Sequence, residues 1–314
     1  MSSWRLGDSP ERLVWRTFRR NRPAVAGLIV VLAFFALAVV GVALTKGADP
    51  ILDPREVRLP DRLQGPFGLP NRGAVPAASL PRLGLYLFGT DELGRDVFAR
   101  MLEGAFVSLS VGFVAVGLAV LIGIVVGGLA GYYGPVRVGF LTVDTLVTGL
   151  IDVMLSFPAF FLILTVVAIL RPSIWNIMIV IGLTSWEGTA RFVRAEILSL
   201  REQEFIHASR ASGAGGGRII ACHLIPNALG PVLVSATLGV AGAILTESSL
   251  SFLGFGVPPP DATWGNILAE GKRYIFDAPW LTLIPGTAIL VVVLAFNLFG
   301  EGLREAFHPR LRER

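Results

Sequence analysis

Three histidines (His207, His223 and His308) and one cysteine (Cys222) are all that the 314 residues offer for imidazole or thiol chemistry. No two histidines stand four apart and no HExxH occurs, so these side chains read as interface or surface residues and no metal site is expected. A single cysteine allows no internal disulfide. The triple glycine 215–217 lacks a following lysine and no GxxxxGK[ST] loop is present. The chain is therefore not expected to hydrolyse ATP, and no catalytic residue is assigned. What remains is carboxylate in apolar surroundings, at Asp144, Asp152 and Glu247. A charge inside a membrane span is costly and usually faces protein, water or an ion pathway. Asp144 and Asp152 fall about 80° apart round a helix, which is no obvious acid pair. These residues disfavour a membrane enzyme and leave an ion-driven secondary transporter to be weighed.

The second candidate is the polar stretch 201–226, REQEFIHASRASGAGGGRIIACHLIP, which interrupts the apolar second half of the chain. Phe205, Ala208, Ser209 and Ser212 repeat at i, i+3, i+4, i+7 and would make one helix face with a bulky residue and small neighbours. Gln203, His207 and Arg210 fall on a polar face, and Gly213 with Gly215–Gly217 would end the helix. Residues 218–224 could form a second short helix before Pro226. Such a helix pinned between spans suits insertion into a groove on a partner, although the composition fits an ordinary solvated loop equally well.

The elements that would carry these residues are membrane spans. The chain is 53% hydrophobic and only 16% charged, with a mean hydropathy of +0.67, well below the charge content of soluble domains. Its net charge of +4 comes almost wholly from arginine, since Lys46 and Lys272 are the only lysines. The arginines cluster at span ends, which favours an anionic membrane surface over nucleic acid as their counterpart. Residues 24–44 carry no charge and reach roughly 30 Å as a helix, enough to cross the hydrocarbon. This run is too long for a signal-peptide core and is expected to stay as an anchor. Further spans are expected at about 105–130, from a turn past Val138 to about 170 with a break at Pro158, from 174 to about 186, at 228–246, and from 281 to about 299. Gly123, Gly127 and Gly131 recur every four residues, as in helices that pack closely in lipid.

Between the first two spans lies a proline-rich hydrophilic loop, 45–103. Its end, FGTDELGRDVFARMLEG, reads as an amphipathic interfacial helix capped by Thr90 or Asp91, with Leu93, Val97 and Met101 on one face. Asp91 and Arg95 are either a surface i, i+4 pair or part of a gate or docking site. Residues 250–280, rich in proline, glycine and tryptophan, suggest a partly re-entrant or interfacial lid. Sixteen arginines fall in segments 1–23, 131–140, 191–224 and 304–314, whereas the short loops on the other side hold only Arg171, Lys272 and Arg273. The consistent solution is six spans with both termini in the cytoplasm, which places 201–226 there too.

The loop also carries a resemblance. His207-Ala208-Ser209, Gly213 and His223-Leu224-Ile225-Pro226 have the spacing of the cytoplasmic loop of ATP-binding-cassette importer permeases, Glu-Ala-Ala, three residues, Gly, nine residues, Ile-x-Leu-Pro. His207 replaces the acid, Ser209 an alanine, His223 an isoleucine and Ile225 a leucine. FGTDELGRDVFARMLEGAFVSLSVG, LIDVMLSFP, LSLREQEF, LIPNALGPVLV, LSFLGFGVPPPDATWGNILAEG and APWLTLIPG resemble the second permease of the dipeptide, oligopeptide and nickel branch. The resemblance covers most of the chain, with 46–85 the least covered.

That resemblance implies an all-α polytopic membrane protein with six transmembrane helices and a type I ABC importer permease fold. It implies a cytoplasmic segment 1–23, a first span 24–44, an extracytoplasmic loop 45–103, a transmembrane domain 104–303 with its coupling loop at about 195–226, and a cytoplasmic tail 304–314. The protein would sit in a bacterial or archaeal inner membrane. Its partners would be a homologous permease, two cytoplasmic ABC ATPases that bind ATP and Mg²⁺, and an extracytoplasmic binding protein. Glu204, Phe205, His207, Ala208, Ser209, Gly213, Ile225 and Pro226 would form the ATPase-coupling loop. Asp152, Glu247 and Trp264 are candidates for gate or pathway. The cargo implied is di- or oligopeptide, with nickel chelates or oligosaccharides as alternatives.

Overall fold

The computed structural model describes residues 10–47 and 49–307, with side chains from Val14 onward. The expectations for 1–9 and 308–314, including His308 and Arg310, lie outside the described residues. A short cationic helix, α1 (Pro10–Arg20), leads through Asn21 into α2 (Arg22–Thr45). The Asn21 side chain accepts from Ala24 N at 3.0 Å, and Pro23 sits in the first turn where its missing N–H leaves nothing unsatisfied.

Among the described residues the segment from Lys46 to Asp96 contains no α-helix, only two single turns of tighter helix. It is ordered round a buried carboxylate instead. Asp61 accepts from Tyr86 Oη at 2.7 Å, Gln64 Nε2 at 3.0 Å and Asn71 N at 3.0 Å. Burial, and next the hydrogen bond it gives Asp61, push the Tyr86 phenol well above its ordinary pKa, so it stays a donor. Gly94 closes this unit. Its φ is +73°, and a Cβ there would lie 1.8 Å from the Arg58 carbonyl oxygen. Gly94→Ala is therefore expected to cost on the order of 2 kcal/mol or more, read as faster proteolysis between α2 and α3 and a lower unfolding temperature.

Asp96 then starts α3 (Val97–Tyr133), its carboxylate accepting from Phe98 N at 2.8 Å and Ala99 N at 3.4 Å. This corrects the expected interfacial helix capped by Thr90 or Asp91. The left-handed turn at Gly94 stops any helix from running through it, so Leu93 lies in the preceding turn. Val97 and Met101 belong to one 37-residue helix that continues into the second span.

A two-residue hairpin, β1 (Arg137–Val138) with β2 (Leu141–Thr142), leads into α4 (Val143–Ser156) and α5 (Ala159–Ile169). These two helices meet at 81° across Phe157 and Pro158, as expected where proline removes a backbone donor. After α6 (Ile174–Leu183) the chain breaks at Thr184–Trp186 and resumes as α7 (Glu187–Leu200). The helices α8 (Glu204–Ala211) and α9 (Gly216–Ile219) form the following loop, and α10 (Ile225–Phe252), α11 (Trp264–Gly271) and α12 (Trp280–Phe307) complete the chain.

Of the six segments expected to cross, α2, α3, α12 and the continuous run Gly216–Phe252 are long and apolar enough, and the bent pair α4–α5 makes a fifth. The remaining segment, α6, has ten residues and covers only about 15 Å by itself. α3 is the central post, packed by α2, α6, α7 and α10, while α12 closes against α2 and α10. Only 22–39% of each long apolar window is buried, so most of that surface must be covered by lipid or by another chain.

Candidate functional site

The loop between α7 and α10 is held to the body by three buried side chains. Ile206 on α8, Ile219 on α9 and Leu224 are each fully buried, packed with Val193, Ile197 and Val232. Because Ile206 points inward, its neighbours point out. Glu204, Phe205, His207, Ala208, Arg210, Ala211 and Ser212 are exposed and Ser209 is half-buried. Phe205, at 40% exposure, is the one large apolar side chain on this face of α8.

Gly213 ends α8 in the left-handed region with φ +82°. Gly213 N donates to Arg210 O at 2.9 Å and Ala214 N to Ser209 O at 3.1 Å, the paired bonds of a Schellman cap. Two tyrosines at the end of α3 support the loop from below. The Arg210 guanidinium lies 5.3 Å from the Tyr132 ring, and a Cβ on Gly216 would meet Tyr133 Oη at 2.4 Å.

The expected second short helix ending at Pro226 is not separate. From Gly216 the chain runs through a wide turn, Ile220–Leu224, straight into α10. A wide turn shifts the hydrogen-bond register and so absorbs the donor that proline lacks. Ile225 and Pro226 thus belong to the first turn of α10, whereas Glu204 through Gly213 form the exposed surface. Sequence reasoning missed Ile206, Tyr132 and Tyr133; an isoleucine inside an otherwise polar helix is the signal that could have marked the first.

α7 connects this loop to the interior. It lies flush on α3 because glycine removes the side chains between them: a Cβ on Gly127 would come 2.4 Å from Ala190 O, one on Gly123 2.6 Å from Thr189 Cβ and one on Gly131 2.8 Å from Ile197 Cβ. Arg194 grips Asp144 with two bonds, at 2.5 and 2.7 Å, and Arg191 Nη2 lies 3.1 Å from Asp152 Oδ1. Where α3, α6–α7 and α10 diverge they leave a cleft of about 260 Å³. Ala115, Ala119, Ser185, Thr189, Ser235 and Gly242 are among its lining residues, and no charged side chain is. Ser185, Thr189, Ser235 and Thr246 place hydroxyls among small and apolar side chains in its wall. Sequence reasoning did not find it, because its walls come from three distant segments.

At the other end, Asp91 Oδ2 accepts from Arg95 Nε and from Arg100 Nη1, both at 2.6 Å. On α11, Glu270 Oε2 accepts from Arg95 Nη2 at 3.0 Å and from Arg100 Nη1, and its Oε1 accepts from Arg100 Nη2 at 3.0 Å. The surface-pair reading of Asp91 and Arg95 is thereby corrected: both are buried, and the pair extends to a residue 175 positions away.

Residues 119–313 match the family model described as binding-protein-dependent transport system inner membrane component. The chain belongs to that family. Residues 9–66 of this permease match a second model, the N-terminal transmembrane domain of oligopeptide transport permease C. It is 39% identical to the dipeptide transport system permease protein DppC of Alkalihalophilus pseudofirmus over 97% of its own length and 91% of that protein's. The protein of the same description from Bacillus subtilis is 36% identical, over 95% of this chain and 85% of that one. Among solved structures, an inward-facing form of the MetNI methionine ABC transporter superposes with a TM-score of 0.53 at 19% identity, covering 65% of this chain and 95% of that one. That likeness establishes the fold, the type I ABC importer permease fold.

Within this permease the three residues named for a gate or pathway do not line the cleft. Asp152 is exposed on α4 and paired with Arg191. Trp264 is fully buried, its Nε1 donating to Met101 O at 3.2 Å and its ring set edge-on to Phe34 at 5.5 Å. Glu247 is fully buried beside it, accepting from Ser251 Oγ at 2.7 Å, with Ser108 and Thr263 near. Trp264 N donates to Ser108 Oγ at 3.2 Å, so Glu247 and Trp264 share one polar node inside the wall formed by α3, α10 and α11. Both side chains are enclosed there, Glu247 and Trp264 each at 0% exposure. The acids that would have served an ion-driven transporter are thus paired with arginine at Asp144 and Asp152, or enclosed at Glu247.

Proposed function

We propose that this permease subunit carries di- or oligopeptides, working with a homologous permease, two cytoplasmic ATPases that bind the ATP and Mg²⁺, and an extracytoplasmic binding protein. Its two termini and α8 lie on the cytoplasmic side. α8 is the coupling helix, seated in a groove of an ATPase. The observation that carries this reading is the exposed face of α8, with Phe205 outward and Ile206 locked inward. A push on that face reaches α7, which is flush with α3 and borders the cleft. Rigid helices joined this way move as a body between states rather than bending. The descriptions of the relatives favour peptide over nickel chelates or oligosaccharides, and the uncharged cleft is compatible with zwitterionic cargo.

The test is purification of the native complex from a gentle detergent. Stoichiometric ATPase is expected with the unaltered chain. Phe205→Glu is expected to reduce the retained ATPase about tenfold, because it places an unpaired charge in an apolar pocket. A complex that transports without any ATPase would overturn the proposal. Uptake of labelled dipeptide into proteoliposomes containing the whole assembly decides the cargo.

A further inference from the structure

α1 is a part of the molecule that neither the cleft nor α8 accounts for. Its buried side is used: Phe18 is 3% exposed and packs edge-on against Phe299, beside Ala24 and Ala306. The opposite side is not. Arg16, Arg19 and Arg20 are exposed at i, i+3 and i+4, so they form one stripe, and Arg22 is exposed at the start of α2. Trp15 is 55% exposed, and the Arg19 guanidinium sits 5.9 Å from its ring. Among the described residues none of these four arginines forms an ion pair. The nearby acids on α12 are occupied, Glu301 with Arg304 and Glu305 with Asn21 Nδ2.

The position of this stripe selects its counterpart. α2 has 24 residues and outruns the hydrocarbon by a turn or more. Its first turn and the helix before it therefore fall at headgroup level. A cationic stripe with an indole beside it at that depth is complementary to lipid phosphate, and tryptophan itself favours that zone.

We propose that α1 and the start of α2 form a binding surface for anionic phospholipid headgroups, with Arg16, Arg19, Arg20 and Arg22 as the phosphate contacts and Trp15 as the interfacial anchor. The choice of the cytoplasmic leaflet rests on the proposed topology; the binding does not. The surface fixes α1 against the bilayer and, through Phe18, steadies the ends of α2 and α12.

The full-length chain is placed in nanodiscs of phosphatidylcholine containing about one-third phosphatidylglycerol, and the lipid that stays bound after extraction is measured by native mass spectrometry. Phosphatidylglycerol is expected to be enriched, and the enrichment to fall with rising salt. The triple variant R16Q/R19Q/R20Q should lose on the order of tenfold of that preference, while R171Q, an exposed arginine on a different loop, should keep it. As a measurement that needs no triple variant, brominated phosphatidylglycerol should quench the unaltered chain more than brominated phosphatidylcholine, and Trp15→Phe should remove the difference. Equal enrichment in the triple variant overturns the proposal. So does displacement of the lipid by millimolar inorganic phosphate, which would mark a simple anion site. Protection of the stripe only on adding the ATPases, without lipid preference, would mark a protein interface instead. Nanodiscs expose both leaflets, so a wrong topology would leave the enrichment intact and appear only in labelling from one side of sealed vesicles.

Discussion

Arg100→Met is expected to destabilise the contact of α3 with α11 by about 3–5 kcal/mol, the cost of removing one partner from a buried ionic cluster. The Arg100 side chain is 3% exposed and lies between Asp91 and Glu270. Without it two carboxylates face one another with only Arg95 between them. Glu270 stands near the end of α11 and Asp91 in the turn before α3, so the cluster clips α11 to the central helix. The variant should unfold at a lower temperature in detergent and should show faster proteolysis between α10 and α12. The further variant R100M/E270Q also removes the carboxylate left in excess, keeps Asp91 paired with Arg95, and is expected to recover a large part of the loss, because a neutral group is far less costly to bury. Equal instability of the single and double variants would show that the packing of Arg100, rather than its charge, holds α11.

Gly213→Asp is expected to abolish most coupled uptake, by about tenfold or more, while the chain still inserts and folds. A Cβ at 213 meets nothing of the chain's own within 4 Å, so the body has room for a side chain. The backbone there has φ +82°, a region that aspartate and asparagine tolerate better than other residues. What Asp adds is a charge at the end of the exposed face of α8. Gly213→Asn, of the same shape without the charge, should retain an intermediate rate. ATP-driven uptake in proteoliposomes orders the three chains. Undiminished uptake by the Asp variant would take Gly213 out of the docking surface.

These two sites were not equally legible. Gly213 could be picked out because a glycine after a short amphipathic run is a local signal, and its spacing to His207 and Pro226 is fixed along the chain. The role of Arg100 could not. Its partner Glu270 is 170 residues away, and local sequence around either gives only a charge near a span end. Asp91 and Arg95 illustrate the same limit, since an i, i+4 spacing describes a surface pair and a buried one equally well. Glu247 and Trp264 stand out in the sequence as candidates for gate or pathway, an acid near the end of a span and a tryptophan in a proline- and glycine-rich segment. Their enclosure by Ser108, Ser251, Thr263 and Met101 is a property of three helices meeting.

The sequence by itself determined the membrane class, most of the span positions, the break at Pro158, the close-packing glycines of α3 and the location of the exposed loop. Each of these depends on hydropathy over a window, on proline or glycine chemistry, or on spacing within a few turns, and all are local. The tertiary structure alone decided that α3 begins at Val97 with Asp96 as its cap, that Ile206 rather than Phe205 faces inward, that Asp144 and Arg194 neutralise one another, and that the cleft lies between α3, α6–α7 and α10. Those outcomes follow from which faces of distant helices touch, and the free energy of a buried charge or a close helix contact depends on the partner across the gap, not on the residue's neighbours in the chain.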